Sequence, residues 1–309
     1  MESSSSKLDK GYAPILALLG VQAFFGSLPV FGKVVLKVIP AFALVGFRVG
    51  ITALALFAFL RFKNELALAD KRDYLRFFGL SFFAVTFNQL FFITGLSLTK
   101  ASNTSLLAVT IPLFTLGIGA AIGAEKLRKR KIFGIVLAAI GVILLIDPRN
   151  ASFSSETTLG DFLIILNSLC YGIYIAFSKE LITRNGALRS VAWVFIFASI
   201  FVVPLGVYSL LQVDIYAVEA KIWLAVLYIG VVATLLPYLF NAWALARVNP
   251  STVAVFVYLQ PLIGFVLAVF LLGEPVGFVV IIAGILIFTG VFLATKKFRQ
   301  SETEILHLT

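Results

Sequence analysis

Long apolar runs alternate with short polar stretches along almost the whole chain. Ten runs are apolar on all sides rather than along one face, a pattern typical of helices surrounded by lipid or by other helices. Most approach the roughly 20 residues that span the hydrocarbon core of a bilayer. The predicted spans cover residues 13–36, 41–60, 74–98, 103–123, 132–146, 161–181, 190–211, 222–244, 251–272 and 276–295. The pattern therefore predicts an all-α integral membrane protein with ten transmembrane helices.

Composition supports this class. Of the 309 residues, 61% are hydrophobic and only 13% are charged, whereas about 25% are charged in an ordinary soluble domain. No soluble core can hide so much apolar surface, which excludes a soluble enzyme. The single cysteine, Cys170, and the single histidine, His307, are too few for the usual cysteine- or histidine-ligated metal site. We expect neither a metal nor a cofactor.

The net charge of +10 would suggest nucleic acid in a soluble protein, but its distribution indicates topology instead. With the N-terminus inside, 19 of the 25 Lys and Arg residues lie on the cytoplasmic side, five lie outside, and Arg48 lies within a span. Such an excess is typical of cytoplasmic loops. We therefore predict cytoplasmic tails at 1–12 and 296–309, an external linker at 147–160, no nucleic-acid partner, and a bacterial inner (plasma) membrane location.

An internal repeat divides the chain. Residues 101–146 overlay residues 250–295 without a gap after a shift of 149 positions. The matched residues of scarce types are Ser102 and Ser251, Pro112 and Pro261, Glu125 and Glu274, and Gly141 and Gly290; earlier in each half, Gly26 pairs with Gly172 and Lys33 with Lys179. Each half, 13–146 and 161–295, holds five predicted helices, so the halves enter the membrane in opposite directions. This 5+5 inverted-topology repeat is typical of carriers that work by alternating access.

These motifs resemble those of the EamA-type domains of the drug/metabolite transporter superfamily. The first copy runs from Ala101-Ser102 through Pro112 and Ala124-Glu125 to Gly141. The second runs from Pro250-Ser251 through Pro261 and Gly273-Glu274 to Gly290, and Arg48 follows Gly46-Phe47. The resemblance implies a ten-helix carrier of small organic solutes, often an exporter. It also implies a central cavity formed mainly by the first, third, fourth, sixth, eighth and ninth helices. Many members have Trp before the glycine where this chain has Phe25 and Tyr171.

Uncharged polar side chains concentrate on the helices that the resemblance assigns to the cavity. Buried amides in a membrane need polar partners, so these side chains face protein or water. The candidate cavity residues are Gln22, Asn88, Gln89, Asn167, Tyr171, Tyr174, Tyr238, Asn241, Tyr258 and Gln260. Together they predict a site for a neutral or zwitterionic solute; individually, each also suits a hydrogen bond between helices.

Charged residues and prolines add further candidates. Arg48 either contacts a substrate carboxylate or, as we favour, reaches the membrane surface or anchors its helix to nearby carbonyls. Lys33 and Lys179 are repeat mates at opposite faces, suited to gating or, more simply, to interface anchoring. Pro112 and Pro261 lie mid-helix, where each should kink its helix and act as a hinge.

Two glutamates, Glu125 and Glu274, precede the fifth and tenth helices and are expected to cap them. We expect a monomer that moves a small organic metabolite, an amino acid or similar compound, by alternating access and without enzymatic chemistry. An organic phosphate or nucleotide-sugar antiporter is the alternative, and it would need several basic groups in the cavity. A membrane scaffold or enzyme is the alternative of another class.

Overall fold

The computed structural model describes residues 5–146, 156–211, 213–263 and 278–295, and these contain ten helical segments and no strand. We number the segments α1 to α10 in chain order. They are α1 Ser5–Val35, α2 Ala41–Phe62, α3 Lys71–Leu98, α4 Ala101–Leu107 with Thr110–Ala121, α5 Lys129–Ile146, α6 Thr158–Asn185, α7 Ala187–Leu210, α8 Ala220–Leu245, α9 Pro250–Ile263 and α10 Phe278–Thr295.

The helices agree with the apolar pattern. Eight of them are long and apolar enough to cross a bilayer; the others are α5, whose first turn is basic, and α9, which is described as far as Ile263. The structure begins α1 at Ser5, earlier than the predicted start at residue 13, because hydropathy marks only the apolar part of a helix. The linker segment 147–155 and residues 264–277 lie outside the described residues.

Two pairs of helices pack closely through glycine. A Cβ added at Gly290 of α10 would lie 2.5 Å from the backbone oxygen of Gly134 in α5, and one added at Gly141 would lie 2.9 Å from the oxygen of Ala283. Gly46 of α2 and Gly206 of α7 approach each other equally closely. Small residues let backbones approach and so increase van der Waals contact where no hydrophobic effect acts between helices. These two pairs flank a centre formed by α1, α3, α4, α6, α8 and α9.

The interruptions within helices repeat as the sequence does. A π-helical turn occupies Phe82–Thr86 in α3, and its repeat mate, Val231–Leu235 in α8, is also π-helical. Because α1 and α6 start at opposite faces, the two halves run in opposite directions. We call the face where α1 begins the proximal face and the face where it ends the distal face. The chain is an all-α integral membrane protein built as a 5+5 inverted-topology repeat.

Candidate substrate cavity

A cavity of about 90 Å³ lies between the two halves. Its walls combine amide, hydroxyl and aromatic side chains with one guanidinium. The lining residues are Phe25, Leu28, Arg48, Asn88, Gln89, Phe92, Thr104, Ser105, Ala108, Ile111, Ile164, Asn167, Tyr171, Tyr238, Val257 and Gln260. Since a water molecule occupies about 30 Å³ in the liquid, the space matches a few waters, and a larger solute requires the walls to move.

Most of the predicted cavity residues meet here. The candidates that line the cavity are Asn88, Gln89, Asn167, Tyr171, Tyr238 and Gln260. The other four candidates stand behind the lining and next to residues that form it: Gln22, Asn241, Tyr174 and Tyr258. The sequence reasoning missed Thr104 and Ser105, which lie in the first turns of α4 and carry no unusual spacing that would mark them.

A bond between repeat mates crosses the middle of the cavity wall. Gln89 Nε2 of α3 donates to the Tyr238 hydroxyl of α8 at 2.9 Å, across 149 positions of sequence. The Tyr238 hydroxyl in turn donates to the backbone oxygen of Ala84 in the π-helical turn of α3 at 2.9 Å. This contact ties the two halves together at their pseudo-two-fold axis.

The asparagines of α3 and α6 bond reciprocally. Asn167 Nδ2 donates to the backbone oxygen of Asn88 at 2.9 Å, and Asn88 Nδ2 donates to that of Asn167 at 3.3 Å. Each side-chain amide therefore satisfies a carbonyl of the other helix. These two residues hold α3 to α6 while lining the cavity, so the roles of interhelical contact and cavity wall coincide.

The second layer of predicted residues supports the lining. Gln260 Nε2 donates to Gln22 Oε1 at 2.8 Å, and Asn241 Nδ2 donates to the Tyr171 hydroxyl at 2.7 Å. That bond uses the Tyr171 oxygen as an acceptor, which leaves its proton available for a solute. The Tyr258 hydroxyl donates to the backbone oxygen of its repeat mate Val109 at 2.9 Å, and the Tyr174 ring centroid lies 6.4 Å from that of Tyr171.

Arg48 is the charged member of the described lining, and it does not extend to the membrane surface. Its side chain is among the largest that are fully buried, with 1% of the residue exposed. Nε donates to Thr234 Oγ1 in the π-helical turn of α8 at 2.9 Å. A side chain that reaches the surface, one form of the interpretation favoured from sequence, does not describe this geometry, because α2 packs this face against α8. The bond to Thr234 is compatible with the other form, an anchor of α2, although through a hydroxyl rather than a backbone carbonyl.

The two lysines related by the repeat make matching contacts. Lys33 Nζ donates to the backbone oxygen of Thr99 at 2.6 Å, and Lys179 Nζ donates to that of Val248, the mate of Thr99, at 2.8 Å. The first contact lies at the distal ends of α1 and α3, and the second at the proximal ends of α6 and α8. Neither lysine lines the central cavity.

Glu125 caps a different helix from the one expected. Its carboxylate accepts from the backbone N–H of Ser251 at 2.7 Å and from the Ser251 hydroxyl at 2.6 Å, so it caps α9 in the other half rather than α5. Lys131 Nζ lies 2.6 Å from the same carboxylate. The loop before α5 turns the glutamate toward α9 because α4 and α9 pack together. Glu274 lies outside the described residues.

Asp161 is a buried polar contact that the sequence reasoning missed. It lies in the first turn of α6 at the distal face, where it accepts from Thr99 Oγ1 at 2.6 Å and from Asn103 Nδ2 at 3.0 Å. Thr99 thus contacts both Asp161 and Lys33. Hydropathy alone gives no sign of this cluster, since an acidic residue at a helix start is common on exposed surfaces.

Both candidate hinge prolines follow an interruption of their helix. In α4 the α-helix stops at Leu107 and resumes at Thr110, just before Pro112, and the backbone oxygen of Ala108 accepts from Ile111 N–H at 3.1 Å. In α9 the turn Phe256–Tyr258 is a 3₁₀-helix, one turn before Pro261. The carbonyls four residues before the two prolines, those of Ala108 and Val257, therefore lie in distorted turns that line the cavity, and Ala108 bonds to Ile111 where proline offers no N–H.

A larger groove is unsuited to a polar solute. It has a volume of about 690 Å³ and lies between α2 and α7. Its lining is apolar apart from Ser199, whose hydroxyl already donates to the backbone oxygen of Ile196. Lipid chains match such a surface. The small central cavity, not this groove, carries the polar chemistry.

Two inverted halves around a polar central cavity define a membrane transporter of small molecules. The profile of the EamA-like transporter family matches residues 13–147 and 158–296, which together cover most of the chain. The chain belongs to this family.

Relatives and a solved structure agree with this assignment. An uncharacterized transporter of Archaeoglobus fulgidus is 28% identical over 93% of this chain and 98% of its own. A protein of Salmonella typhimurium named as a probable amino-acid metabolite efflux pump is 28% identical over 62% of this chain and 66% of its own. A crystal structure at 17% identity matches with a TM-score of 0.74 over 93% of this chain and 99% of that one, which indicates the same fold.

Proposed function

We propose that this protein is a secondary transporter that exports an amino acid or a similar small metabolite by alternating access. The observation that carries the proposal is the position of the cavity, whose lining comes from both inverted halves. Two halves of one fold in opposite orientation can exchange conformations, which moves a central site from one face to the other. The amide and hydroxyl groups of the walls suit a solute that carries hydrogen-bond donors and acceptors.

The topology and direction belong to the same proposal. Basic residues in the loops favour a cytoplasmic proximal face, with the tails 1–12 and 296–309 inside and the linker 147–160 outside. The halves 13–146 and 161–295 are the two moving units. The name of the Salmonella relative favours efflux across a bacterial inner (plasma) membrane. Because the described lining belongs to one chain, a monomer suffices.

An organic phosphate or nucleotide-sugar antiporter is less well supported. A multiply charged phosphate needs several cationic groups, and Arg48 is the one charged residue among the described residues that line the cavity. Lys33 and Lys179 donate instead to backbone carbonyls at the two faces.

Counterflow in proteoliposomes tests the proposal. The purified protein is reconstituted, the vesicles are loaded with one unlabelled solute, and uptake of the labelled form is followed for amino acids, sugars and sugar phosphates. We expect exchange of amino acids or closely similar solutes. Exchange confined to sugar phosphates would favour the antiporter, and absence of any flux would refute the transport proposal for this chain.

A further inference from the structure

A buried guanidinium faces the cavity with part of its bonding capacity unused. Arg48 lines the cavity and has 1% of its surface exposed. Nε donates to Thr234 Oγ1, while Nη1 is buried and has no hydrogen-bond partner among the described residues. The Thr234 hydroxyl gives its own proton to the backbone oxygen of Ile229 at 2.7 Å, so this threonine serves Arg48 only as an acceptor.

Electrostatics makes this arrangement incomplete. Arginine stays protonated in proteins, and a buried charge is unfavourable unless a counter-charge and hydrogen bonds accompany it. No carboxylate belongs to the described lining of the cavity, and Arg48 forms no ion pair with any described acid. An anion in the cavity would supply both the charge and the acceptor that Nη1 lacks.

A purely structural role explains only part of this geometry. The bond from Nε to Thr234, with the Thr52 hydroxyl donating to the Gly230 oxygen at 3.3 Å one turn away, is enough to attach α2 to α8. It leaves Nη1 unexplained. If the fold itself required such an anchor, the second half should repeat it, yet α7 has its basic residue, Arg189, in the first turn, bonded to the Ala67 oxygen at the proximal face.

We propose that Arg48 binds the carboxylate of the transported solute. This inference rests on the proposed function and specifies its substrate class as small carboxylates, zwitterionic amino acids included. The planar guanidinium matches a carboxylate through parallel N–H bonds, and a single positive charge balances one carboxylate rather than a doubly charged phosphate. The neutral groups of Tyr171, Asn88 and Gln260 then contact the remainder of the solute.

The wild-type protein provides a first test that needs no mutation. The probes are L-alanine, L-leucine and L-phenylalanine, their primary amides, and 4-methylpentanoate, which keeps the carboxylate of leucine and lacks its amine. Binding is measured by thermal shift in detergent, and transport by inhibition of counterflow. We expect one or more acids to bind about 10- to 100-fold more tightly than the matching amide, the range for hydrogen bonds to a charged group. Equal binding of acid and amide would overturn the inference.

Variants assign the discrimination to one side chain. Arg48→Gln should remove the preference for the acid and leave binding of the amide within about threefold. Arg48→Lys keeps the charge but loses the planar fork, so it should keep a reduced preference. Arg61→Gln is the matched control, because Arg61 is an exposed arginine on the same helix that contacts Asn64; it should behave as wild type. A monodisperse Arg48→Gln protein that still prefers the acid would refute the assignment.

The outcomes separate this inference from the proposed function. If the wild-type protein exchanges neutral solutes or amides as well as acids, transport stands and the role of Arg48 is wrong. If no solute is exchanged, the transport proposal itself fails. If Arg48→Gln does not fold, Arg48→Lys and the wild-type comparison decide: acids and amides that bind equally to both proteins would overturn the inference.

Discussion

Replacing Glu125 with alanine should weaken the closure of the two halves at the proximal face. Glu125 belongs to the loop between α4 and α5, whereas Ser251, which it caps, begins α9 of the other half. An opening of the cavity toward this face separates the two segments. The carboxylate contacts are therefore expected to form when the proximal face is closed and to break when it opens.

The magnitude follows from three short contacts to one carboxylate. Two come from Ser251 at 2.7 and 2.6 Å, and one comes from Lys131 at 2.6 Å, with side-chain exposures of 13% for the lysine and 2% for the glutamate. Removing one partner of a buried ion pair costs about 3–5 kcal/mol. Because Lys131 retains some access to solvent, we expect about 3 kcal/mol. At about 1.4 kcal/mol per factor of ten, this corresponds to roughly a 100-fold change in the constant for the equilibrium in which the contact breaks.

Two measurements check the reasoning. Unfolding in mixed detergent micelles gives the loss of stability. Labelling of Ser105→Cys, a cavity position, in a Cys170→Ala background gives access from the proximal face to a membrane-impermeant maleimide. Glu125→Ala should increase the labelling rate at least tenfold. Glu125→Gln, which keeps an acceptor for Ser251 N–H, should fall between it and the wild-type protein.

Glu180→Ala is the matched control, since this glutamate has an exposed side chain and lies 3.9 Å from its partner Arg184. Exposed pairs of this kind contribute little, so neither stability nor labelling should change. If Glu125→Ala lost stability while labelling stayed at the control rate, the contact would hold α9 without closing the cavity. If Glu125→Ala matched Glu180→Ala in both measurements, the assigned energetics would be refuted.

Three further predictions concern the hinges, the lysines and the packing of α5 on α10. Pro112→Ala should slow counterflow by about fivefold while solute affinity in the same protein stays within about twofold; an unchanged turnover would count against the hinge. Lys33→Ala and Lys179→Ala should each lower the free energy of unfolding by about 1–2 kcal/mol. Labelling of the cavity should rise only from the distal face in the first variant and only from the proximal face in the second; unchanged access would leave both lysines as anchors. Gly290→Leu should destabilise the protein by about 1–3 kcal/mol in micelle unfolding, because its Cβ would lie 2.5 Å from Ala138 N. A Gly117→Ala control has nothing within 4 Å, and equal stability of the two variants would contradict the packing argument.

Sequence periodicity predicts much of this fold because each helix can be recognised from its own local sequence. Apolar runs of bilayer length identify the spans, and scarce residues such as Pro112 and Pro261 reveal the repeat where common apolar residues cannot. Polar residues inside those spans then indicate the cavity walls, since a buried amide needs a partner. Asn88, Gln89 and Tyr238 reach the cavity for this reason.

Contacts between distant segments are beyond such reasoning. The cap on Ser251 joins residues 126 positions apart, and the sequence places Glu125 closer to α5, which is the wrong helix. Arg48 shows the same limit: hydropathy finds a basic residue within a span, but burial depends on which face of α2 packs on α8. The π-helical turn that presents Thr234 to Arg48 likewise has no local sequence signal, because packing between helices decides where a helix widens into a π-turn.

The polar contacts divide into those that obey the repeat and those that break it. Lys33 and Lys179 make equivalent bonds at opposite faces, as two exchangeable half-structures require. The buried Asp73 does not, since it binds Arg184 and accepts from Asn185 Nδ2 at 2.8 Å at the proximal face, while its repeat mate is the apolar Ile222. The symmetric contacts allow two conformations related by the pseudo-two-fold axis, and the unmatched ones change their relative free energies. A ligand or mutation shifts such an equilibrium only by its differential interaction with the two states. The unmatched contacts, of Asp73 at the proximal face and of Asp161 at the distal face, are therefore where the balance between the two conformations is set.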